Sequence, residues 1–207
     1  REAFQESGRR VTLYKGVREW FARINAYGAA RGIRILHYIN SSGLKEIIEG
    51  TEIAHEFRRI YACSFLYDID GVAYWPAVAV NYTNKTQFIF KINKGVESVF
   101  DSKLVNQYIE EDKRPVPFRR MIYVGDGTTD IPCMRLVKNS GGHSIAVYNP
   151  EIRNARRELN GLIRDNRVSH VCPADYSEGS EMDTLVKTII DKIEADHRLE
   201  LLETPRT

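Results

Sequence analysis

An acidic loop follows a short apolar run in the second half of the chain. Residues 121–124 lead directly into Gly125-Asp126-Gly127-Thr128-Thr129-Asp130. Two glycines flank Asp126 and leave its carboxylate with little steric cover, which suits a hard divalent cation such as Mg²⁺ that prefers oxygen ligands. Asp130, at the opening of the next helix, would hold a metal-bound water or orient a neighbouring group. The alternative is a tight turn in which Asp126 only caps that helix, and the second aspartate favours the metal site.

Three small polar clusters stand where strands are expected to end. They are Ser41-Ser42-Gly43, Thr83-Asn84-Lys85, and Gly125-Asp126-Gly127 with Asp130. In open α/β sheets, functional sites form where loops leave the carboxyl ends of the strands. The convergence of three such clusters carries more weight than any one of them.

Alternating helical and strand patterns must position these clusters. Apolar residues at helical spacing predict a helix from about Val17 to Ala30, and the apolar run of residues 33–39 suits a buried strand. Further strands are predicted at 61–67, 72–82, 121–124, 144–148 and 168–172, and further helices at 44–49, 85–93, 130–137, 151–164 and 182–199. The pattern predicts a three-layer α/β fold with a parallel sheet.

A small β-hairpin is expected as an insertion in this fold. Asp68-Ile69-Asp70-Gly71 separates two β-rich runs, and Asp-Gly between such runs is a strong hairpin signal. We expect residues 1–207 to form one domain, in which residues 1–13 are the remnant of a cap domain or a linker.

The Gly125–Asp130 string resembles the fourth motif of the haloacid dehalogenase superfamily, and the phosphoserine-phosphatase-like branch is the most similar. The resemblance extends from about Tyr14 to the last predicted helix. It implies a Rossmann-like catalytic core and a hydrolase, specifically a phosphatase, with Mg²⁺ as the cofactor and Asp126 as a metal ligand.

The family's second motif is a Ser or Thr that ends a core strand, and Ser41 occupies that position here. Its hydroxyl and the backbone N–H groups of Ser42 and Gly43, if they open a helix, would hold phosphate oxygens. A plain N-cap role for Ser41 is the alternative.

The third motif is a lysine that neutralises phosphoryl charge, and two lysines match it. Lys85 starts a predicted helix directly after a strand, and Lys94 lies near the end of the same helix in Ile92-Asn93-Lys94-Gly95. One helix cannot send both to one site, because nine residues at 1.5 Å each separate them by about 13 Å. Its position at a helix N-terminus favours Lys85 as the catalytic lysine, with Lys94 as the alternative, and Asp130 is the other expected catalytic residue.

The first motif, Asp-x-Asp after the opening strand, supplies the nucleophile and the general acid/base in this family. Asp68-Ile69-Asp70 matches it in type but follows Ser41, whereas the family order places the first motif before the second. We therefore interpret it as the hairpin turn, since nothing else in the sequence suggests a circular permutation. The expectation is that the true motif and most of any cap lie upstream of Arg1, so that this chain alone is inactive.

The resemblance implies hydrolysis of a small phosphomonoester through an aspartyl-phosphate. A phosphotransferase or mutase using the same intermediate is one alternative. The other is a catalytically inactive module that binds phosphorylated ligands or a partner protein. Substrate identity and oligomeric state are left open.

Composition excludes several classes of protein. The charges nearly cancel, with 30 Lys and Arg against 28 Asp and Glu, and the scattered arginines of residues 153–167 suit a solvated helix face rather than a nucleic-acid interface. The longest apolar run is too short to span a bilayer, and three widely spaced cysteines agree with a reducing cytoplasm. We expect a cytoplasmic protein whose partner is a small phosphorylated metabolite, with no membrane or nucleic acid bound.

Overall fold

The computed structural model describes residues 1–203, which divide into two compact units. The first unit comprises residues 1–12, 36–117 and 127–136. The second comprises residues 13–35 and 118–126 together with the chain from residue 137 onward. Each unit carries its own three-stranded sheet. The single catalytic core over residues 1–207 stays a prediction.

Eight helices and six strands are described. The helices are α1 (Glu2–Arg9), α2 (Val17–Ala29), α3 (Lys45–Glu49), α4 (Lys85–Asn93), α5 (Ser102–Asn106), α6 (Ile131–Asn139), α7 (Ala155–Arg164) and α8 (Glu181–Glu203). The strands are β1 (Tyr38–Leu44), β2 (Arg59–Tyr67), β3 (Ala73–Val78), β4 (Ile122–Gly125), β5 (His143–Tyr148) and β6 (His170–Pro173). None of these helices is long and apolar enough to cross a membrane.

The sheet of the second unit is parallel throughout, in the order β4-β5-β6. The central strand β5 buries four consecutive residues, Ser144 to Val147. A continuous buried run of this kind is typical of a parallel strand that is covered on both faces. The predicted α/β class with parallel strands is therefore confirmed at this level.

The sheet of the first unit is mixed, in the order β1-β2-β3. Strands β1 and β2 are parallel, whereas β2 and β3 are antiparallel and form the predicted hairpin. The Asp68 carboxylate closes its turn, because it accepts hydrogen bonds from the backbone N–H groups of Asp70 at 3.0 Å and Val72 at 2.8 Å. The hairpin is confirmed, and Asp68 is a turn residue of it.

Strand β1 begins and ends later than predicted. It starts at Tyr38 rather than at residue 33, and it continues through Ser41-Ser42-Gly43, where a turn was expected. The apolar residues Ile33 and Ile35 instead complete the end of α2. The Ile33 N–H donates to the Gly28 carbonyl at 2.9 Å, and a methyl group added to Gly28 would meet the Ile35 side chain. Apolar contacts of this kind accompany helix C-termini.

Helix α1 occupies most of the residues predicted to be a linker or a cap remnant, and it packs closely on α3. A Cβ atom at Gly8 would stand 2.0 Å from the Ile47 carbonyl oxygen, so that only glycine permits this approach. Phe4 stacks on Phe65 of β2, with ring centroids 6.0 Å apart. Residues 2–9 are therefore a packed element of the first unit.

Candidate functional site

Lys85 and Asp130 form a buried ion pair in the first unit. Lys85 is the first residue of α4, and Asp130 ends the 3₁₀ turn Thr128–Asp130 that precedes α6. The Lys85 Nζ lies 2.6 Å from the Asp130 Oδ1, and the two side chains are only 5% and 10% exposed. A charge-assisted hydrogen bond this short fixes the direction of the ammonium group. Of the predicted catalytic residues, the structure brings these two together.

Asn40 ties β1 to the start of α4. Its Nδ2 donates to the Lys85 carbonyl oxygen at 3.0 Å and lies 3.9 Å from the Cys133 sulfur of α6. Its Oδ1 is buried and has no hydrogen-bond partner within residues 1–203. Asn40 was not singled out from the sequence, although an amide side chain directly before Ser41, at the end of the predicted strand 33–39, was an available signal.

The Ser41-Ser42-Gly43 cluster forms a bulge at the end of β1 and does not open a helix. Asn40 pairs with Tyr61 and Leu44 pairs with Cys63, so β1 holds two residues more than β2 between these pairs. Helix α3 begins only at Lys45. The expected helix N-terminus at this cluster is therefore wrong, because the strand continues through it.

The hydrogen bonds of this bulge are mostly local. The Gly43 N–H donates to the Ser41 Oγ at 3.0 Å, so one of the backbone donors expected to hold phosphate already has a partner. Ser42 and Gly43 are exposed, and Ser41 is half-buried. What the bulge offers a ligand is the Ser41 hydroxyl, whose proton does not take part in the bond from Gly43.

Lys94 is engaged away from Asp130. Its Nζ donates to the backbone carbonyls of Val105 at 2.7 Å and Gln107 at 2.6 Å. Lys91 does the same one turn earlier with the carbonyls of Ser98 and Asp101, and burial lowers the pKa of this lysine. Both lysines therefore anchor the segment around α5. Of the two candidates, Lys85 is the one beside Asp130.

Asp126 lies at the carboxyl end of β4 in the second unit. Its side chain is exposed, and none of the described residues forms an ion pair or side-chain hydrogen bond with it. The carboxylate is therefore available to a cation from solution. The sequence motif joins it to Asp130, but the Asp130 carboxylate is already bound to Lys85.

The described residues could bind Mg²⁺ through a single carboxylate but not through a cage of several protein ligands. Within residues 1–203, no group of three or more His, Cys, Asp or Glu side chains lies close enough together to hold a metal ion. A closed protein cage is therefore not formed by the described residues. Mg²⁺ is commonly bound through one or two carboxylates, with water and substrate phosphates completing its octahedron. Asp126 could bind Mg²⁺ in this way.

Comparison with known proteins places the chain near one curated relative. No family model matches the sequence. An uncharacterized protein of Borreliella burgdorferi is 28% identical over an alignment of 226 positions, which covers 93% of this chain and 74% of that protein. The similarity extends over nearly the whole chain, and the relative's name assigns no activity.

The described residues can therefore carry out two separate tasks. In the first unit, Asp130 holds the Lys85 ammonium, whose side chain is 5% exposed, and Ser41 has a half-buried hydroxyl near the end of β1. In the second unit, Asp126 offers a free carboxylate at the end of a parallel strand. A cation and a hydroxyl both bind phosphoryl oxygens, whereas a carboxylate binds a metal ion.

Proposed function

We propose that the protein is a Mg²⁺-dependent phosphohydrolase of the haloacid dehalogenase type that acts on a small phosphomonoester. The observation that supports this most is the buried pair of Lys85 and Asp130. The two residues stand 45 positions apart in the sequence, and each was assigned a role from a different motif. A chance match to either motif would not require the two side chains to meet.

Each residue has a defined role in the proposed reaction. Lys85 neutralises charge on the phosphoryl group, and Asp130 holds the ammonium in place. Ser41 donates its hydroxyl to a phosphoryl oxygen. Asp126 binds Mg²⁺, which when present would stabilise negative charge on the phosphate. Such fixed charges lower the barrier because they need no reorganisation as charge develops.

The covalent step requires two further carboxyl groups. One aspartate attacks phosphorus, forming an aspartyl-phosphate and releasing the alcohol, which takes its proton from the second carboxylic acid. The resulting carboxylate then removes a proton from water, which attacks the aspartyl-phosphate and yields inorganic phosphate and the free aspartate. We place both groups upstream of Arg1, since Asp68 is committed to the hairpin turn.

An inactive phosphate-binding module is the second candidate. The observation in its favour is that residues 1–203 contain no group of three metal-ligating side chains. Such a module would bind a phosphorylated ligand without turning it over. A cytoplasmic location is proposed with either function, because Cys63, Cys133 and Cys172 are all free thiols and free thiols are typical of a reducing compartment.

Phosphate release from p-nitrophenyl phosphate by the full-length natural protein tests this proposal. We expect Mg²⁺-dependent turnover, and we expect Lys85→Met to lower kcat by about 100-fold or more, the usual effect of losing a fixed charge at a phosphoryl group. Lys94→Met is the matched control and should retain most of the activity. A full-length protein that binds phosphate without turnover would establish the inactive module instead. Equal losses in the two lysine variants would contradict the assignment of Lys85.

A further inference from the structure

A single amide side chain, that of Asn40, connects β1, α4 and α6. Asn40 directly precedes Ser41 in β1. Its Nδ2 donates to the carbonyl oxygen of Lys85, the first residue of α4, at 3.0 Å. The same Nδ2 lies 3.9 Å from the sulfur of Cys133, which stands three residues after Asp130. All of these residues belong to the first unit, so the three elements that carry Ser41, Lys85 and Asp130 meet at one side chain.

Lys85 is held at its backbone as well as at its ammonium group. Its N–H donates to the Asn81 carbonyl oxygen at 3.0 Å, and its carbonyl oxygen accepts the hydrogen bond from Asn40. Its ammonium group is bound to Asp130. Asp130 therefore fixes the end of the side chain, whereas Asn81 and Asn40 fix the backbone. Among these three partners, Asn40 is the one that ties the Lys85 backbone to β1.

The Asn40 amide is held in an orientation that leaves its oxygen without a partner. A carbonyl oxygen only accepts hydrogen bonds, so the amide must present its nitrogen to Lys85 and cannot exchange Nδ2 with Oδ1. Oδ1 is left buried, with no hydrogen-bond partner among residues 1–203. A buried acceptor in this state costs free energy, which an apolar side chain of the same shape would avoid. Stability alone therefore does not account for an amide at position 40.

We propose that Asn40 is a positioning residue for Lys85, which it holds at a fixed distance from β1 so that the ammonium meets the phosphoryl group in the reacting geometry. This inference rests on the proposed function and deepens it. Asn40 does not touch the substrate and acts through the backbone of α4. Displacement of a reacting group by about 1 Å can lower a rate by about 100-fold, so even a small shift of Lys85 after loss of the bond to Asn40 lowers kcat.

Asn40→Leu in the full-length protein tests this role, because leucine has a similar shape but removes both the bond to Lys85 and the unpartnered Oδ1. We expect kcat for p-nitrophenyl phosphate with Mg²⁺ to fall about tenfold or more, with the urea midpoint close to that of the parent.

Asn93→Leu is the matched control, because Asn93 is a buried amide at the other end of α4. Its Nδ2 donates to the Val116 carbonyl oxygen at 2.9 Å, and its Oδ1 accepts from the Arg114 Nη1 at 3.3 Å. Since both amide atoms have partners, this variant should lower the urea midpoint and leave the kcat of the folded protein unchanged.

A double variant with Lys85→Met shows whether Asn40 acts through Lys85. In that background Asn40→Leu should lower kcat no further, since the ammonium that Asn40 positions is absent. If the parent is active and Asn40→Leu, corrected for any unfolded fraction, retains its kcat, the inference alone is overturned. Losses in kcat that multiply in the double variant would also overturn it, because Asn40 would then act independently of Lys85. If the parent hydrolyses no p-nitrophenyl phosphate with Mg²⁺, the proposed function is overturned with it.

Discussion

Breaking the buried pair of Lys85 and Asp130 should strongly destabilise the first unit. Lys85→Met keeps the length and the apolar stem of the side chain but leaves the Asp130 carboxylate without the ammonium 2.6 Å away. Removing one partner of a buried pair costs about 3–5 kcal/mol, because the remaining charge is uncompensated. Since the Asp130 side chain keeps 10% exposure and gains some hydration, we expect a loss of about 3 kcal/mol.

A double-mutant cycle in urea measures this interaction. Lys85→Met, Asp130→Asn and the double variant are compared with the parent, and we expect the double variant to lose at least 1 kcal/mol less than the sum of the singles, a coupling of about 0.5–3 kcal/mol being usual for residues in contact. Lys45→Met breaks a partly exposed pair with Glu49 and should cost about 1 kcal/mol or less. If the losses in unfolding free energy of the two single variants were additive and each as small as that of Lys45→Met, a buried interaction between Lys85 and Asp130 would be refuted.

Two further predictions concern the second unit. Burial alone would raise the pKa of Asp183, but hydrogen bonds from Lys187, the Gly179 N–H and Arg23 outweigh it and lower the pKa. The stability that Asp183 contributes is therefore present above its unfolded pKa of about 3.9 and is lost as the pH falls through the lower folded value. Asp183→Asn should lower the free energy of unfolding by about 3 kcal/mol at neutral pH. The urea midpoint of the variant should also fall less steeply than that of the parent as the pH is lowered, and an equally steep fall would contradict this. Gly16→Ala should destabilise by about 1–3 kcal/mol, because its Cβ would stand 2.3 Å from the Ser177 nitrogen. Gly32→Ala is the control, because Gly32 also has a positive φ but a Cβ atom there would meet nothing within 4 Å. If Gly32→Ala lost as much stability as Gly16→Ala, the steric contact at Gly16 would not be the cause.

The sequence correctly predicted helices and strands whose formation depends on residues close to them in the chain. The apolar run of β5, the Asp-Gly turn between β2 and β3, and the periodicity of α4 each depend on nearby residues. Strand β1 was misplaced because Ile33 and Ile35 are apolar but complete the end of α2. The bulge at residues 41–43 could not be predicted, since it exists only in the pairing of β1 with β2.

Sequence motifs were enough to propose some residues of the candidate site, but other choices depend on contacts that only the folded chain shows. Asp126 and Lys85 were found from residue type and position. The choice between Lys85 and Lys94 needed the structure, because it depends on which side chain meets Asp130 and which meets distant carbonyls. Asn40 was missed, since a single amide side chain in a strand has no periodicity that would mark it.

Asp126 is proposed to bind the Mg²⁺ on which phosphomonoester hydrolysis depends. The decisive measurement is the rate of p-nitrophenyl phosphate hydrolysis by the full-length protein and its Asp126→Asn variant, each with and without Mg²⁺. We expect turnover only for the parent with Mg²⁺, and a loss of about 100-fold or more in the variant, the scale expected when a charge-stabilising group is removed from such a site. Equal rates with and without the metal, or a variant as active as the parent, would contradict it.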